Sequence, residues 1–345
     1  MVDMSDVKLI RQIANAIDEL EPILNSLVVN DTTVIDALAQ LLSALHQMQL
    51  KSEEHHKKVA GEIHSFTREL TEIAGNLRMH QPIIIAANEQ SAENPEFGLL
   101  EYLYSFLTDT NAIDVGANVG KVSERLLKVG YTVYAFEPYG PVFRTLQKLS
   151  TAKQFKNKFH AFELAVGSTD KTMDLHIAAD LSGSNKWDPT LFNSLVEHPM
   201  LESCQFTEKV RVQVRSLESL QREGKIPLHS GILKIDTEGF DLDVIKGMGN
   251  GQYAIVMAEF WDAEHPFGRA GNGKLEELVA ETKTRGYAWH LVIYHVDQTA
   301  AVSYYCNRLE LVPQSWGNVL FFQDHGLFAK AVTWCEDVLT PTLFR

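Results

Sequence analysis

The stretch Asn111-Ala-Ile-Asp-Val-Gly-Ala-Asn-Val-Gly120 decides how the chain is read. Ala112 to Val115 is strand-like, Gly116 and Gly120 fall in a turn, and a helix is expected from Gly120 to about Lys128. Strand, glycine turn and helix in that order make the first unit of an open α/β sheet, in which ligands bind beyond the carboxyl ends of the strands. Glycine there lets backbone approach whatever lies over the helix N-terminus. The spacing is G-x-x-x-G and lacks the G-x-G-x-x-G that seats a pyrophosphate; it carries instead Asp114 inside the strand end and Asn118 in the loop. A carboxylate accepts from an ammonium and loop amides receive a carboxylate, so this turn suits a zwitterion better than a diphosphate.

Working outward, strands are expected at Thr132 to Phe136, Ala161 to Val166, Gly231 to Ile235, Ala254 to Glu259, Ala288 to Tyr294 and Asn318 to Phe322. Helices alternate with them, as at Leu99 to Leu107 and Val142 to Leu149. This rhythm predicts a Rossmann-like parallel sheet covered by helices on both faces. Glu137, at the end of the second strand and followed by Pro138, stands where an acidic group accepts both hydroxyls of a ribose. Adenosine with an amino-acid tail is the implied ligand. A nicotinamide cofactor shares the acidic ribose contact, but the glycine spacing is wrong for it.

Asp114-Val-Gly-Ala-Asn-Val-Gly120, Phe136-Glu-Pro138, Val214-Arg-Ser-Leu-Glu218, Lys234-Ile-Asp-Thr-Glu-Gly239 and Gly317-Asn-Val-Leu-Phe321 together resemble the FkbM-type family of S-adenosylmethionine-dependent methyltransferases. The resemblance spans roughly residues 98 to 325. It implies the class I methyltransferase sheet, seven strands with the last antiparallel, and methyl transfer to a hydroxyl, often of a sugar or natural product, with S-adenosylhomocysteine as the second product. Carried over by position, Asp114, Gly116, Ala117, Asn118 and Gly120 would hold the methionine part, Glu137 and Pro138 the ribose side, and Leu164 and Ala165 would flank adenine. Thr237 and Phe240-Asp241 depart from the family's usual residues, which bears only on acceptor contacts.

Methyl transfer is an in-line displacement, so the protein must align an acceptor oxygen, exclude water and take up a proton. Lys234, Asp236 and Glu238 end the fourth strand. Alternation sends all three to one side unless the turn begins at Asp236, in which case both carboxylates converge on the crevice. Asp236, also placed beside the cofactor, is the first candidate near the reacting methyl and Glu238 the second; capping of the next helix is the alternative for Glu238. Glu259, ending the apolar fifth strand beside Phe260 and Trp261, is a base candidate whose pKa desolvation would raise, the alternative being a structural hydrogen bond to a neighbouring strand end. His265, in the following loop, is a further base candidate. Asp236, Glu259 and His265 also offer ligands to a hard divalent cation, but acid–base work is the preferred reading and no metal is assigned. His290 and His295, five apart on a strand, point to opposite faces and read as packing residues.

Residues 179 to 209 read as a long irregular insertion. Ser182, Ser184, Asn185 and Trp187 within it would suit a saccharide ring, the alternative being a solvated loop whose Trp plugs the body.

Before residue 80 the pattern is helical: Ile10, Ile13, Ile17, Leu20, Leu24 and Leu27 form one stripe, and a heptad series runs from Val34 to Leu77. A coiled coil is expected over residues 6 to 80, as a hairpin or a homo-oligomer seam, with a cap on the body as the alternative. His55 and His56 interrupt the seam and read as a solvated break. Residues 81 to 97 read as a linker and 98 to 345 as the methyltransferase domain. The 345 residues carry 31 Lys plus Arg against 45 Asp plus Glu, a net charge of −14, which disfavours nucleic acid and anionic membrane as partners. Three dispersed cysteines, Cys204, Cys306 and Cys335, form neither a disulfide framework nor a zinc motif, and the acidic N-terminus is unlike a signal peptide. A cytoplasmic enzyme acting on a small-molecule or glycan hydroxyl is therefore expected; a retired methyltransferase fold serving as a coiled-coil scaffold is the rival.

Overall fold

The computed structural model describes residues 83–86, 94–181, 188–197, 204–265, 268, 273–296 and 301–339. The chain divides into two compact units, 1–80 and 81–345, and every described residue belongs to the second. The expected coiled coil at residues 6–80, and Ser182, Ser184, Asn185 and Trp187 of the expected acceptor loop, lie outside the described residues.

The elements run β1 (Ile83–Ala86), α1 (Pro95–Leu103), β2 (Asn111–Val115), α2 (Lys121–Val129), β3 (Thr132–Phe136), α3 (Gly140–Leu146), β4 (Phe159–Phe162), β5 (Ala165–Val166), β6 (Lys171–Asp180), β7 (Cys204–Arg215), α4 (Leu217–Arg222), β8 (His229–Ile235), α5 (Asp241–Lys246), β9 (Gln252–Trp261), α6 (Leu275–Thr284), β10 (Trp289–Val296), β11 (Ala301–Cys306), β12 (Ser315–Phe322) and α7 (His325–Val338). One sheet has the order β1-β11-β10-β12-β9-β8-β2-β3-β4. From β9 to β4 its pairings are parallel, and β12 runs antiparallel to both of its neighbours, β9 and β10. The α/β fold with a mostly parallel sheet is as expected, and so is the antiparallel last strand.

The sheet has nine strands where seven were expected. The hairpin strand β11 pairs with β10, and β1 pairs with β11, so the hydrogen-bonding edge of β10 is covered. Ile83, Ile84 and Ile85 are β-branched and suit a strand, so the stretch read as a linker contains β1 and the start of α1, whose first residue is Pro95. The expected strand 161–166 is broken: β4 ends at Phe162, and β5 joins a second, three-stranded sheet of order β5-β7-β6. Residues 171–180 and 204–215 pair antiparallel as a long hairpin, so both ends of the expected irregular insertion are strand. Leu175, Ile177, Val212 and Val214 alternate along it and, with Ala165, bury its inner face.

The central strands are buried on both faces, which explains their near-continuous apolar sequence. Ile113, Val115, Leu233, Ile235, Val256 and Ala258 face the side covered by α4, α5 and α6. On the other face Phe328 of α7 packs against Phe322, and Ser123 of α2 meets Asp114. Asp324 caps α7 by accepting from Leu327 N–H at 2.7 Å. Among the described residues no helix is long and apolar enough to cross a membrane.

Two positions make the packing testable. A Cβ on Gly231 in β8 would fall 2.2 Å from the carbonyl oxygen of Asp109, so Gly231→Ala should lower the urea midpoint by an equivalent of about 1–3 kcal/mol with an unchanged m-value. Glu96 on α1 is 1% exposed and accepts from Asn318 Nδ2 of β12 at 3.1 Å. Burial pushes its pKa up to about 7; Asp236 adds to the rise, while its own backbone N–H, Arg125 and Asn318 oppose it. A carboxyl raised above its unfolded value stabilises the fold below about pH 4.5 and loses that contribution as pH rises through about 7. The melting temperature of Glu96→Gln should therefore fall less than the parent's between about pH 5 and pH 8.

Candidate functional site

The strand order reverses between β2 and β8, the switch point where an open α/β sheet binds ligands. A cleft of about 650 Å³, counted to its open mouth, lies at the carboxyl ends of the strands there. Val115, Gly116 and Asn118 line it after β2, Glu137 and Pro138 after β3, and Asp236, Thr237 and Glu238 after β8. Leu164 and Ala165 form its apolar wall, which is possible because the chain leaves the main sheet after β4.

The glycine turn is held from two sides. Gly116 and Ala117 N–H groups both donate to the Phe136 carbonyl, at 3.1 and 2.9 Å. Gly116 has φ +72°, and a Cβ there would sit 1.8 Å from the Asp236 carbonyl oxygen, so two strand-end loops touch at backbone level. Gly120, at φ +90°, is the N-cap of α2, and a Cβ on it would strike Leu146 and Leu149. It and the buried Ala117 shape the turn without lining the cleft.

Glu137 is 6% exposed and pinned by backbone: Asn118 N–H donates to Oε2 at 3.1 Å and Tyr139 N–H to Oε1 at 2.8 Å. Each oxygen keeps a further lone pair, and the residue lines the cleft. Burial pushes its pKa up to about 7, against the two amides and Lys234, with Asp114 adding to the rise. Asn118, at φ +47°, donates from Nδ2 to the Thr190 carbonyl at 3.2 Å, so residues 188–193 are fastened across the cleft.

Asp114 does not face the cleft. It is fully buried beneath it, accepting from Ser123 Oγ at 2.6 Å and pairing with Lys234 Nζ at 3.1 Å. Lys234 Nζ also reaches Asp236 Oδ2 at 3.3 Å and the Gly116 carbonyl at 3.0 Å. Burial opposes the lysine's charge, but Asp114 and Asp236 outweigh it and hold the ammonium above the ordinary lysine range. Asp114 therefore acts on the cleft through Lys234, because alternation along β2 turns its side chain onto the face packed by α2.

β8 ends at Ile235, so the turn begins at Asp236 and both carboxylates converge on the cleft. Glu238 takes φ +54° and is not a helix cap; the N-cap of α5 is Phe240, which makes no side-chain cap bond, and Asp241, the first residue of α5, instead braces the turn by accepting from Thr237 N–H at 2.9 Å and from the Thr237 hydroxyl. Asp241 also accepts from Glu259 N–H at 2.7 Å, tying the ends of β8 and β9 together. Asp236, Glu238 and Glu259 each bring a carboxylate oxygen within 4.8 Å of the others. Glu238 and Glu259 are held well above the usual carboxylate range by burial first, then by each other's neighbourhood of acids, with Lys234 opposing. Burial likewise pushes Asp241 up to about 6.

His265 is buried in the loop after β9, its N–H donating to the Asp262 carbonyl at 2.9 Å, and it is not among the residues lining the cleft. His290 and His295 are packing residues: His290 Nε2 lies 3.1 Å from the Arg308 carbonyl, and His295 stacks on Trp316 at 4.5 Å. Burial pushes both down to about 4. Sequence reasoning missed the part of the wall made by Leu175, Thr190, Leu191, Asn193 and Leu195. The alternation of Met173, Leu175 and Ile177 with polar residues was the available signal.

A family model described as the methyltransferase FkbM domain matches residues 114–287. A protein named Methyltransferase 1 from Beauveria bassiana (strain ARSEF 2860) is 26% identical over 176 residues, 48% of this chain and 70% of that protein. Among solved structures, methyltransferase FkbM from Methylobacillus flagellatus KT is 15% identical with a TM-score of 0.38, covering 62% of this chain and 43% of that one. This chain thus spans less than half of that protein's length. Precorrin-6y C5,15-methyltransferase from Geobacter metallireducens GS-15 is 9% identical with a TM-score of 0.36, covering 70% and 94%. The family match spans half of the chain and contains the glycine turn, Glu137 and the carboxylate cluster, and on it this chain belongs to the FkbM methyltransferase family.

Proposed function

We propose that the chain is an S-adenosylmethionine-dependent O-methyltransferase acting on a hydroxyl of a saccharide, a glycan precursor or a related natural product. The observation that carries this reading is the placement of Glu137, fixed by two backbone amides, on the same cleft as the carboxylates that follow β8. A carboxylate with one free lone pair on each oxygen is the acceptor that a ribose diol needs. Leu164, Ala165 and Val166 supply an apolar wall for a base, and Gly116, without a side chain, lets the turn line the cleft beside them. When bound, such a cofactor supplies a sulfonium methyl that an attacking oxygen captures as the carbon–sulfur bond breaks, leaving S-adenosylhomocysteine.

The chain's own residues then have two tasks. Asn118, Thr190 and Leu191 close the cleft against water, which strengthens every charge interaction within it. Asp236, Glu238 and Glu259 orient the acceptor hydroxyl and receive its proton; burial and the neighbouring acids raise the proton affinity of Glu238 and Glu259 above that of an ordinary carboxylate, which favours that transfer. A polar wall of Thr190, Asn193 and Thr237 supports an acceptor rich in hydroxyls.

Calorimetry with S-adenosylmethionine tests the cofactor half. Glu137→Ala should weaken binding by about 10- to 100-fold, the value of one or two charge-assisted hydrogen bonds. Equal affinity in parent and variant would remove the ribose contact. Asp236→Asn should keep cofactor binding measurable while slowing radiolabelled methyl transfer into saccharide precursors by about 10²- to 10⁴-fold. Loss of binding equal to that of Glu137→Ala would reassign the residue.

A further inference from the structure

Three carboxylates crowd together at the cleft, and among the described residues Lys234, paired with Asp236, is the one cation beside them. Asp236, Glu238 and Glu259 come from the ends of two neighbouring strands, and one oxygen of each lies within 4.8 Å of the other two. Lys234 is already engaged: Nζ donates to the Gly116 carbonyl at 3.0 Å and forms ion pairs with Asp114 and Asp236. Among the described residues no lysine or arginine forms an ion pair with Glu238 or Glu259.

Two further oxygens point the same way. Glu259 Oε2 is sealed from solvent and has no hydrogen-bond partner. Glu96, 1% exposed on α1, likewise leaves Oε2 buried and unpartnered, and its charge is felt by Asp236. A buried carboxylate without a counter-charge costs several kcal/mol, a cost such a group meets either by holding a proton or by binding a cation. Backbone amides have already been spent elsewhere, since Glu259 N–H goes to Asp241. Hard divalent cations take oxygen ligands at about 2.0–2.6 Å, so opposed ligands lie about 4–5 Å apart and adjacent ones nearer. The mutual separation of these three oxygens falls within that span.

We propose that Asp236, Glu238 and Glu259 bind one hard divalent cation, Mg²⁺ or Mn²⁺, whose remaining coordination positions open into the cleft and take the acceptor's hydroxyl oxygens. Asp236 and Glu238 line the cleft directly, and Glu259 closes the site from behind. A cation there polarises the acceptor O–H and selects acceptors able to chelate, such as a vicinal diol. The acceptor half of this inference rests on the methyl-transfer reading, whereas the ion site itself does not.

The test uses the full chain, stripped with a chelator and titrated with Mn²⁺ alone while electron paramagnetic resonance follows the free aquo ion. One saturable site per chain is expected, with affinity lowered at least tenfold in Glu259→Gln and in Asp236→Asn and unchanged in Glu310→Gln, a surface control. Absence of saturation into the millimolar range, or equal affinity in parent and both cluster variants, overturns the proposal. Should Glu259→Gln lose its near-ultraviolet circular dichroism, the half-exposed Asp236→Asn decides. S-Adenosylmethionine calorimetry in chelator separates the two readings. Cofactor binding without a Mn²⁺ site leaves methyl transfer standing and removes the cation. A Mn²⁺ site without cofactor binding does the reverse.

Discussion

The architecture of the cleft depends on one buried ammonium. Lys234 projects from the middle of the sheet, 1% exposed, and ties together the acid of β2, the first acid after β8 and the carbonyl of the glycine turn. Asp114 stands in the ladder between β8 and β3, whereas Asp236 and Gly116 belong to the loops that leave β8 and β2 at the topological switch point. An uncompensated charge in such a place would cost several kcal/mol, so the lysine and its two carboxylates are mutually obligatory. Their pairing fixes how closely the two loops approach, and glycine at 116 is the consequence, since any Cβ there would overlap the Asp236 carbonyl.

Around that anchor the site separates into two chemistries. The Glu137 side has backbone donors, an apolar wall and a single acid, which suits recognition of a nucleoside. The other side, at the ends of β8 and β9, gathers Asp236, Glu238 and Glu259 and leaves Glu259 Oε2 without a hydrogen-bond partner. Asp241 joins the rear of this acidic side through backbone amides of both strand ends, so the spacing of the carboxylates follows from the sheet. Loop flexibility does not set it.

Much of this was legible in the residues because the relevant signals are local. A strand followed by a glycine turn, an acid ahead of a proline and alternating apolar runs each depend on a few neighbours, and they placed β2, β3, β8 and β9 and the lining residues Gly116, Asn118, Glu137 and Asp236. The inward turn of Asp114 was less accessible: whether a strand-end acid faces a ligand or a helix depends on parity against a partner that sequence distance conceals, here Ser123 and Lys234. The β6–β7 hairpin was obscured for a different reason. Its alternation is clear near Leu175 and Val212, but polar residues dominate between the strands and drew the reading toward loop. Glu96 and Asn318, 222 positions apart, meet only through tertiary packing and carried no local signal.

The hairpin also has a bearing on how such a protein diversifies. Residues 188–197, between β6 and β7, are clipped to the Glu137 side of the cleft by the Asn118–Thr190 bond and to the acidic side by Ser194, whose hydroxyl donates to the Glu238 carbonyl at 2.7 Å. Its flanking strands β6 and β7 belong to a separate small sheet, outside the ladder that positions Lys234 and the acids. Insertions or substitutions there can resize the entrance and change which molecules are admitted while the reaction centre stays as it is, so selectivity and chemistry sit on parts of the chain that are free to drift independently.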